Sequence, residues 1–303
     1  MIATFRLSEV NYKNGDKFRG MFKDGRANGF GQIKYNYSLP GSGTEFEEAE
    51  YKGNFKAGKR DGYGEMTWGD GALFKGVWKS DQRSHGEMVF ANNDCYRGGF
   101  EDDKLEGPGY LMLASGVIFQ GEFHADCYNP VGKLLYPNGD IYYGQHKQFV
   151  KEGVGKMVYL DGSVYEGTWE SDRKNISGRM QYAESGDVYV GEFIDGKRSG
   201  RGRYFSAAEN TIYDGEWSND RRQGEGTILN DKGEISSGEF RADQMEGKLT
   251  YQRTLSKAET DRVFNLLKNK RDAFITVDRA AASQNSQRAI KSGNRKVSQR
   301  RLK

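Results

Sequence analysis

One unit, aromatic-x-Gly-x-aromatic, recurs along the chain at a nearly constant interval. It appears at Phe18-Gly20-Phe22, Tyr51-Gly53-Phe55, Phe74-Gly76-Trp78, Tyr96-Gly98-Phe100 and Phe119-Gly121-Phe123. It continues at Tyr142-Gly144-His146, Tyr165-Gly167-Trp169, Tyr189-Gly191-Phe193 and Tyr213-Gly215-Trp217, with a degraded tenth copy at Ser236-Gly238-Phe240. Successive starts step by 33, 23, 22, 23, 23, 23, 24, 24 and 23 residues, so eight of nine steps lie within one residue of 23. Such a period marks stacked supersecondary units, each too small to bury its own apolar face and dependent on its neighbours for cover.

Behind each unit come a short polar turn and then Gly-x-Gly, as at Gly29-Gly31, Gly62-Gly64, Gly107-Gly109, Gly153-Gly155, Gly200-Gly202 and Gly224-Gly226. An alternating run such as Lys156-Met157-Val158-Tyr159 follows, then a turn such as Asn138-Gly139 or Asp161-Gly162. Asn-Gly and Asp-Gly favour tight hairpin turns whose two central residues take positive φ. Each repeat is therefore predicted to be two antiparallel strands with two turns. Side chains at i, i+2 and i+4 of a strand share a face, so Tyr165, Gly167 and Trp169 point the same way. A ring from a neighbouring strand is expected to lie over the bare glycine, offsetting the weakness of glycine in a strand.

Composition agrees with a thin, ring-stapled sheet. Hydrophobic residues are only 35% and aromatics 13%, while 41 glycines far exceed the usual ~7%. The net charge of +3 is unevenly spread. Residues 251–303 hold 14 Lys+Arg against 4 Asp+Glu, leaving 32 basic and 39 acidic side chains in the first 250 residues. An anionic partner is thus expected to meet the tail. Two cysteines, Cys95 and Cys127, make no disulfide framework. No secretory leader and no run near the ~18 apolar residues of a membrane span are visible, so an intracellular, reducing setting is expected.

These units resemble the MORN (membrane occupation and recognition nexus) repeat over roughly residues 5–250, most directly at Tyr165-Glu166-Gly167-Thr168-Trp169 and Tyr213-Asp214-Gly215-Glu216-Trp217. Departures are His146 and Ser236 in place of aromatics, and Ser80–His85 and Asp172–Ser177 in place of glycine-bearing turns. The fold expected is all-β: an elongated, twisted, single-layer antiparallel meander of about ten hairpins, on the order of 100 Å long before twist is counted. The resemblance implies a non-enzymatic scaffold that spaces or docks proteins in a cytoskeletal assembly, of the kind found in cilia, axonemes and radial spokes. Its alternative is a membrane-associated adaptor binding anionic phospholipid through the basic tail. The expected partner-binding residues are the rings Tyr51, Phe55, Trp78, Tyr165, Trp169, Tyr213 and Trp217, with Arg295, Lys296, Arg300 and Arg301 of the tail meeting anionic lipid or an acidic protein surface. Nucleic acid is disfavoured because the tail lacks interleaved aromatics. Edge-to-edge homodimerisation is left open.

The predicted organisation is a repeat array over 1–250 with an insertion near 36–48, a capping or docking helix over 251–278, and a basic tail over 279–303 that is disordered in isolation. Ser256-Lys257-Ala258-Glu259 fits a capping box, and Val263, Phe264, Leu266 and Leu267 begin a helical stripe expected to cover the open edge of the last hairpin. No catalytic, metal or cofactor site is expected. His85, His124 and His146 fall at unrelated places in different repeats, without metal-ligand spacing. The Gly-x-Gly pairs lie between strands, whereas a dinucleotide fingerprint opens a helix. Glu192, Glu216 and Glu239 follow the repeat glycine and read as a solvated face.

Overall fold

A computed structural model describes residues 6–37 and 47–268. The centre of the predicted insertion and the basic tail, with Arg295, Lys296, Arg300 and Arg301, lie outside the described residues. The chain forms two compact units meeting in sequence at Pro137/Asn138. The first contains β1 (Arg6–Asn11), β2 (Lys17–Lys23), β3 (Arg26–Tyr37), β4 (Glu47–Lys56), β5 (Lys59–Thr67), β6 (Leu73–Lys79), β7 (Gln82–Val89), β8 (Cys95–Glu101), β9 (Lys104–Met112), β10 (Ile118–His124), β11 (Cys127–Tyr128) and β12 (Val131–Leu135). The second contains β13 (Ile141–Lys147), β14 (Val150–Val158), β15 (Val164–Glu170), β16 (Arg173–Gln181), β17 (Val188–Ile194), β18 (Lys197–Ser206), β19 (Thr211–Ser218), β20 (Arg221–Asn230), β21 (Glu234–Arg241), β22 (Gln244–Thr254) and the helix α1 (Lys257–Lys268). Within each unit the strands pair antiparallel in chain order, a meander as expected, with β11 and β12 together forming the broken partner of β10.

Glycine sets the register. In the first unit Gly20, Gly31, Gly53, Gly64, Gly76, Gly86, Gly98, Gly109 and Gly121 stand opposite one another from strand to strand. The second unit repeats this row from Gly144 to Gly238. In the nine repeats that have a first aromatic, that ring covers the glycine pair, while Gly238, behind Ser236, meets Leu249 and Met245 instead. Tyr165 leans along its strand over Gly167 and reaches across to Gly178 on β16. The expected cover from a neighbouring strand thus holds for only one glycine of each pair, because side chains lean along their own strand before they cross. A Cβ on Gly167 would stand 2.6 Å from the Gly178 Cα and 2.5 Å from the Tyr165 hydroxyl. Gly167→Ala is expected to lower stability by about 1–3 kcal/mol through overpacking, read as a lower urea midpoint at unchanged m-value.

The two turns of each repeat differ. Inside a hairpin, two successive residues take positive φ, the type I′ geometry that matches strand twist. Ser80 (49°) and Asp81 (76°), like Ser171 (48°) and Asp172 (67°), adopt it without glycine. Aspartate tolerates this region and has a second role here. The Asp81 carboxylate accepts the Arg60 backbone N–H of the preceding repeat at 2.8 Å, as Asp172 does from Lys151 (2.8 Å) and Asp220 from Arg198 (2.9 Å). Between repeats, the Asn-Gly and Asp-Gly turns expected to place both residues at positive φ put only the glycine there. Gly139 has φ 91° and Gly162 has φ 85°. Gly162 N–H donates to the Tyr159 carbonyl at 2.9 Å, a type I turn closed by a left-handed glycine. In the fifth repeat Pro130, lacking an N–H, separates β11 from β12, and Asn129 Oδ1 caps the break by accepting from Val131 N–H at 2.9 Å.

The capping box forms as spelled: Ser256 N–H donates to Glu259 Oε2 at 2.9 Å and Glu259 N–H to Ser256 Oγ at 3.3 Å. The helix does not cover the last edge. Every residue of β22 is exposed, and α1 instead folds back onto a sheet face, where Phe264 and Leu267 pack with Val188, Phe205, Ile212 and Leu229. The apolar demand lies on that face, while the edge is polar.

Candidate interaction surface

Each sheet has a ring face and an opposite, open face, because alternate residues of a strand point to opposite sides. On the ring face the first aromatic of a repeat contacts the second aromatic of its own repeat and that of the next. Tyr51 meets Phe55 at 5.2 Å and Trp78 at 5.3 Å, edge to face. Tyr165 meets Trp169 (5.0 Å) and Phe193 (5.2 Å), and Tyr213 meets Trp217 (5.4 Å) and Phe240 (5.1 Å). Edge-to-face pairs at these separations add roughly 0.5–1.5 kcal/mol each beyond area burial. Polar ends of the rings find backbone partners. Tyr165 O–H donates to the Thr168 carbonyl and Tyr213 O–H to Glu216, both at 3.0 Å. Trp217 Nε1–H donates to the Gly202 carbonyl of the previous repeat at 3.0 Å. Burial pushes these tyrosine hydroxyls well above their ordinary range, and the Tyr96 hydroxyl up to about 12, so all remain donors.

The seven rings expected to meet partners are therefore inside the molecule: Tyr51, Phe55, Trp78, Tyr165, Trp169, Tyr213 and Trp217 are all buried. A basic side chain closes over the three tryptophans among them. The Arg60 guanidinium lies 4.2 Å from the Trp78 ring and Arg198 lies 4.3 Å from Trp217, while Lys151 Nζ is 5.1 Å from Trp169. Each of these cations also pairs with the turn aspartate that its own N–H contacts, at 3.3, 3.2 and 2.8 Å. In sequence they are a Lys or Arg two positions before Gly-x-Gly, as in Arg60-Asp61-Gly62 and Arg198-Ser199-Gly200. Their regularity hides in a turn that otherwise looks merely polar.

The open face carries what a partner would meet. One row reads Glu9, Arg19, Gln32, Lys52, Glu65, Lys75, Glu87, Arg97, Tyr110, Gln120 and Lys133 across the first unit, each opposite the next. Its counterpart in the second unit runs Tyr143, Lys156, Glu166, Arg179, Val190, Arg203, Asp214 and Thr227. Facing charges pair within it: Lys75 with Glu65 at 3.4 Å, Lys156 with Glu166 at 2.7 Å, and Arg203 with Asp214 at 2.5 Å. Such exposed pairs contribute little stability, about 0–1 kcal/mol, but they fix a pattern of charge at strand spacing. Elsewhere on the surface Phe30, Tyr63, Leu160 and Ile194 are more than half exposed.

The histidines have three separate environments. His85 is exposed, His124 contacts Glu106 through Nδ1 at 2.8 Å, and His146 is buried and stacks on Phe149 at 5.6 Å. Glu192 accepts the Arg201 backbone N–H at 3.1 Å, so that recurrent glutamate serves its own hairpin. Among the described residues no three His, Cys, Asp or Glu side chains are grouped to hold a metal ion, and no helix is long and apolar enough to cross a membrane.

Six segments match the MORN repeat family: residues 18–36, 51–73, 96–117, 189–209, 213–233 and 237–251. No curated protein matches the chain. Among solved structures, one titled streptogramin B lyase aligns with 76% of this chain and 89% of its own at 13% identity. Its TM-score is 0.16, too low to bear on fold or function.

Proposed function

The chain belongs to the MORN-repeat family, whose repeats mediate protein or membrane interactions, and from that premise we propose that it is a non-enzymatic scaffold that spaces or docks proteins. The observation that carries this reading is the division of labour between faces. The rings are consumed by packing, and the open face presents charged and apolar rows at the strand spacing of about 4.8 Å, a surface suited to partners along its length. A cytoskeletal setting, ciliary or axonemal, is the one we favour, and it rests on the family resemblance alone.

The competing adaptor reading places contact in the basic tail. It predicts sedimentation of the full chain with phosphatidylserine liposomes, lost in salt and lost on truncation. Truncation belongs after Lys268, since removing α1 would strip cover from Phe205 and Ile212. The scaffold reading predicts no sedimentation at physiological salt and recovery of cytoskeletal proteins with the tagged chain. Tail-dependent, salt-sensitive sedimentation without such partners would overturn it.

A further inference from the structure

The open face of the second unit shows how this fold accepts a helix. Val188, Phe205, Ile212 and Leu229 stand opposite one another on β17 to β20, forming an apolar row beside the charged one. Helix α1 lies across them: Phe264 sits edge-on to Phe205 at 5.9 Å, and Arg179 donates to the Leu267 carbonyl at 3.2 Å from the flanking row. Under α1 these four side chains are only 3%, 4%, 2% and 8% exposed. Twelve residues at about 1.5 Å rise span about 18 Å, enough to cross four strands set about 4.8 Å apart.

The same row exists in the first unit. Leu73, Val89, Cys95, Met112, Ile118 and Leu135 stand directly opposite one another across β6, β7, β8, β9, β10 and β12. None of the six reaches the burial of its counterparts under α1: five are half-buried and Met112 is 44% exposed. Contiguous apolar side chains on a surface are a candidate interaction site, as singly scattered ones are not. Six strands span about 24 Å, the length of a helix of about 16 residues. In the flanking charged row Arg97 and Lys133 stand against Glu87, while Lys75 is already paired with Glu65, so acidic side chains of an occupant are favoured towards the β8 to β12 end of that flank.

We propose that this row in the first unit docks an amphipathic helix of a partner protein, about four turns long, with apolar residues at i, i+3, i+4 and i+7 and acidic residues along one side. The proposal rests on the scaffold reading and names the surface through which one partner is held. It follows the helix-in-groove mode, with the chain's own α1 as its template.

The test places p-benzoylphenylalanine at Met112 of the full chain in cells and, separately, at the exposed Tyr63 and Leu160, and sequences the crosslinked peptides. The expected result is a Met112 crosslink to another protein within a segment of the stated pattern. That segment, made as a peptide, should bind the purified full chain and lose at least tenfold in affinity to Ile118→Glu. Met112→Glu, on an exposed side chain, should weaken binding similarly while leaving the thermal midpoint unchanged, which keeps the test valid should Ile118→Glu fail to fold. Crosslinks from Met112 to residues 269–303 of the same chain, to a second copy, or to nothing while Tyr63 or Leu160 captures partners, would overturn the docking site and leave the scaffold standing. Absence of partners at all three positions would remove both.

Discussion

Tyr189→Ala is expected to destabilise the second unit by about 3–5 kcal/mol, the range for deleting a fully buried aromatic side chain. Tyr189 is 0% exposed. It meets Phe193 at 5.1 Å and Trp217 at 5.3 Å, so its loss removes edge-to-face contacts on both sides of a repeat boundary. Its ring also covers Gly191 and Gly202, which have no side chains to collapse into the void. Tyr189→Phe keeps all of this and loses only the O–H donated to the Glu192 carbonyl at 2.8 Å, so about 0.5–1.5 kcal/mol is expected. Urea unfolding of both variants checks the ratio. Equal losses would mean that the hydroxyl, and not the ring, holds the repeats together.

The second large effect concerns acid. His146 occupies the place of an aromatic ring at 2% exposure, and burial lowers its pKa to about 4. The unfolded chain binds a proton near pH 6.5, whereas the folded chain resists it until about pH 4. Between those values the unfolded state holds more protons, so this group's contribution to stability is full above about pH 6.5 and falls as pH drops toward 4. The loss is on the order of 3 kcal/mol at its limit. His146→Phe restores the ring found in other repeats and should remove this slope, narrowing the gap between stability at pH 7.5 and at pH 5. Parallel pH profiles for wild type and variant would contradict the assignment, since the carboxylates are common to both.

Much of this fold is legible in the sequence because the period fixes the register. Once Tyr165, Gly167 and Trp169 share a face, the glycine row and the ring zigzag follow from strand geometry. What escaped were features whose meaning depends on the neighbouring repeat. Asp81 looks like a turn residue, and only the assembled sheet shows its carboxylate on the Arg60 N–H of the repeat before. The rings Trp78 and Trp217 resemble exposed recognition residues until Arg60 and Arg198 are seen lying over them. The helix was readable from Ser256 and Glu259, but its seat was not. The row of Val188, Phe205, Ile212 and Leu229 that receives it is scattered over more than forty residues of sequence and unites only in register.

Stability passes between neighbouring repeats through rings, glycines and turn aspartates. Hydrogen exchange of wild type and Tyr189→Ala measures it most directly. Amide protection is expected to be lost in β16 to β20, which flank the deleted ring, with β2 to β5 of the first unit keeping theirs. A uniform loss of protection across all strands of both units would contradict it.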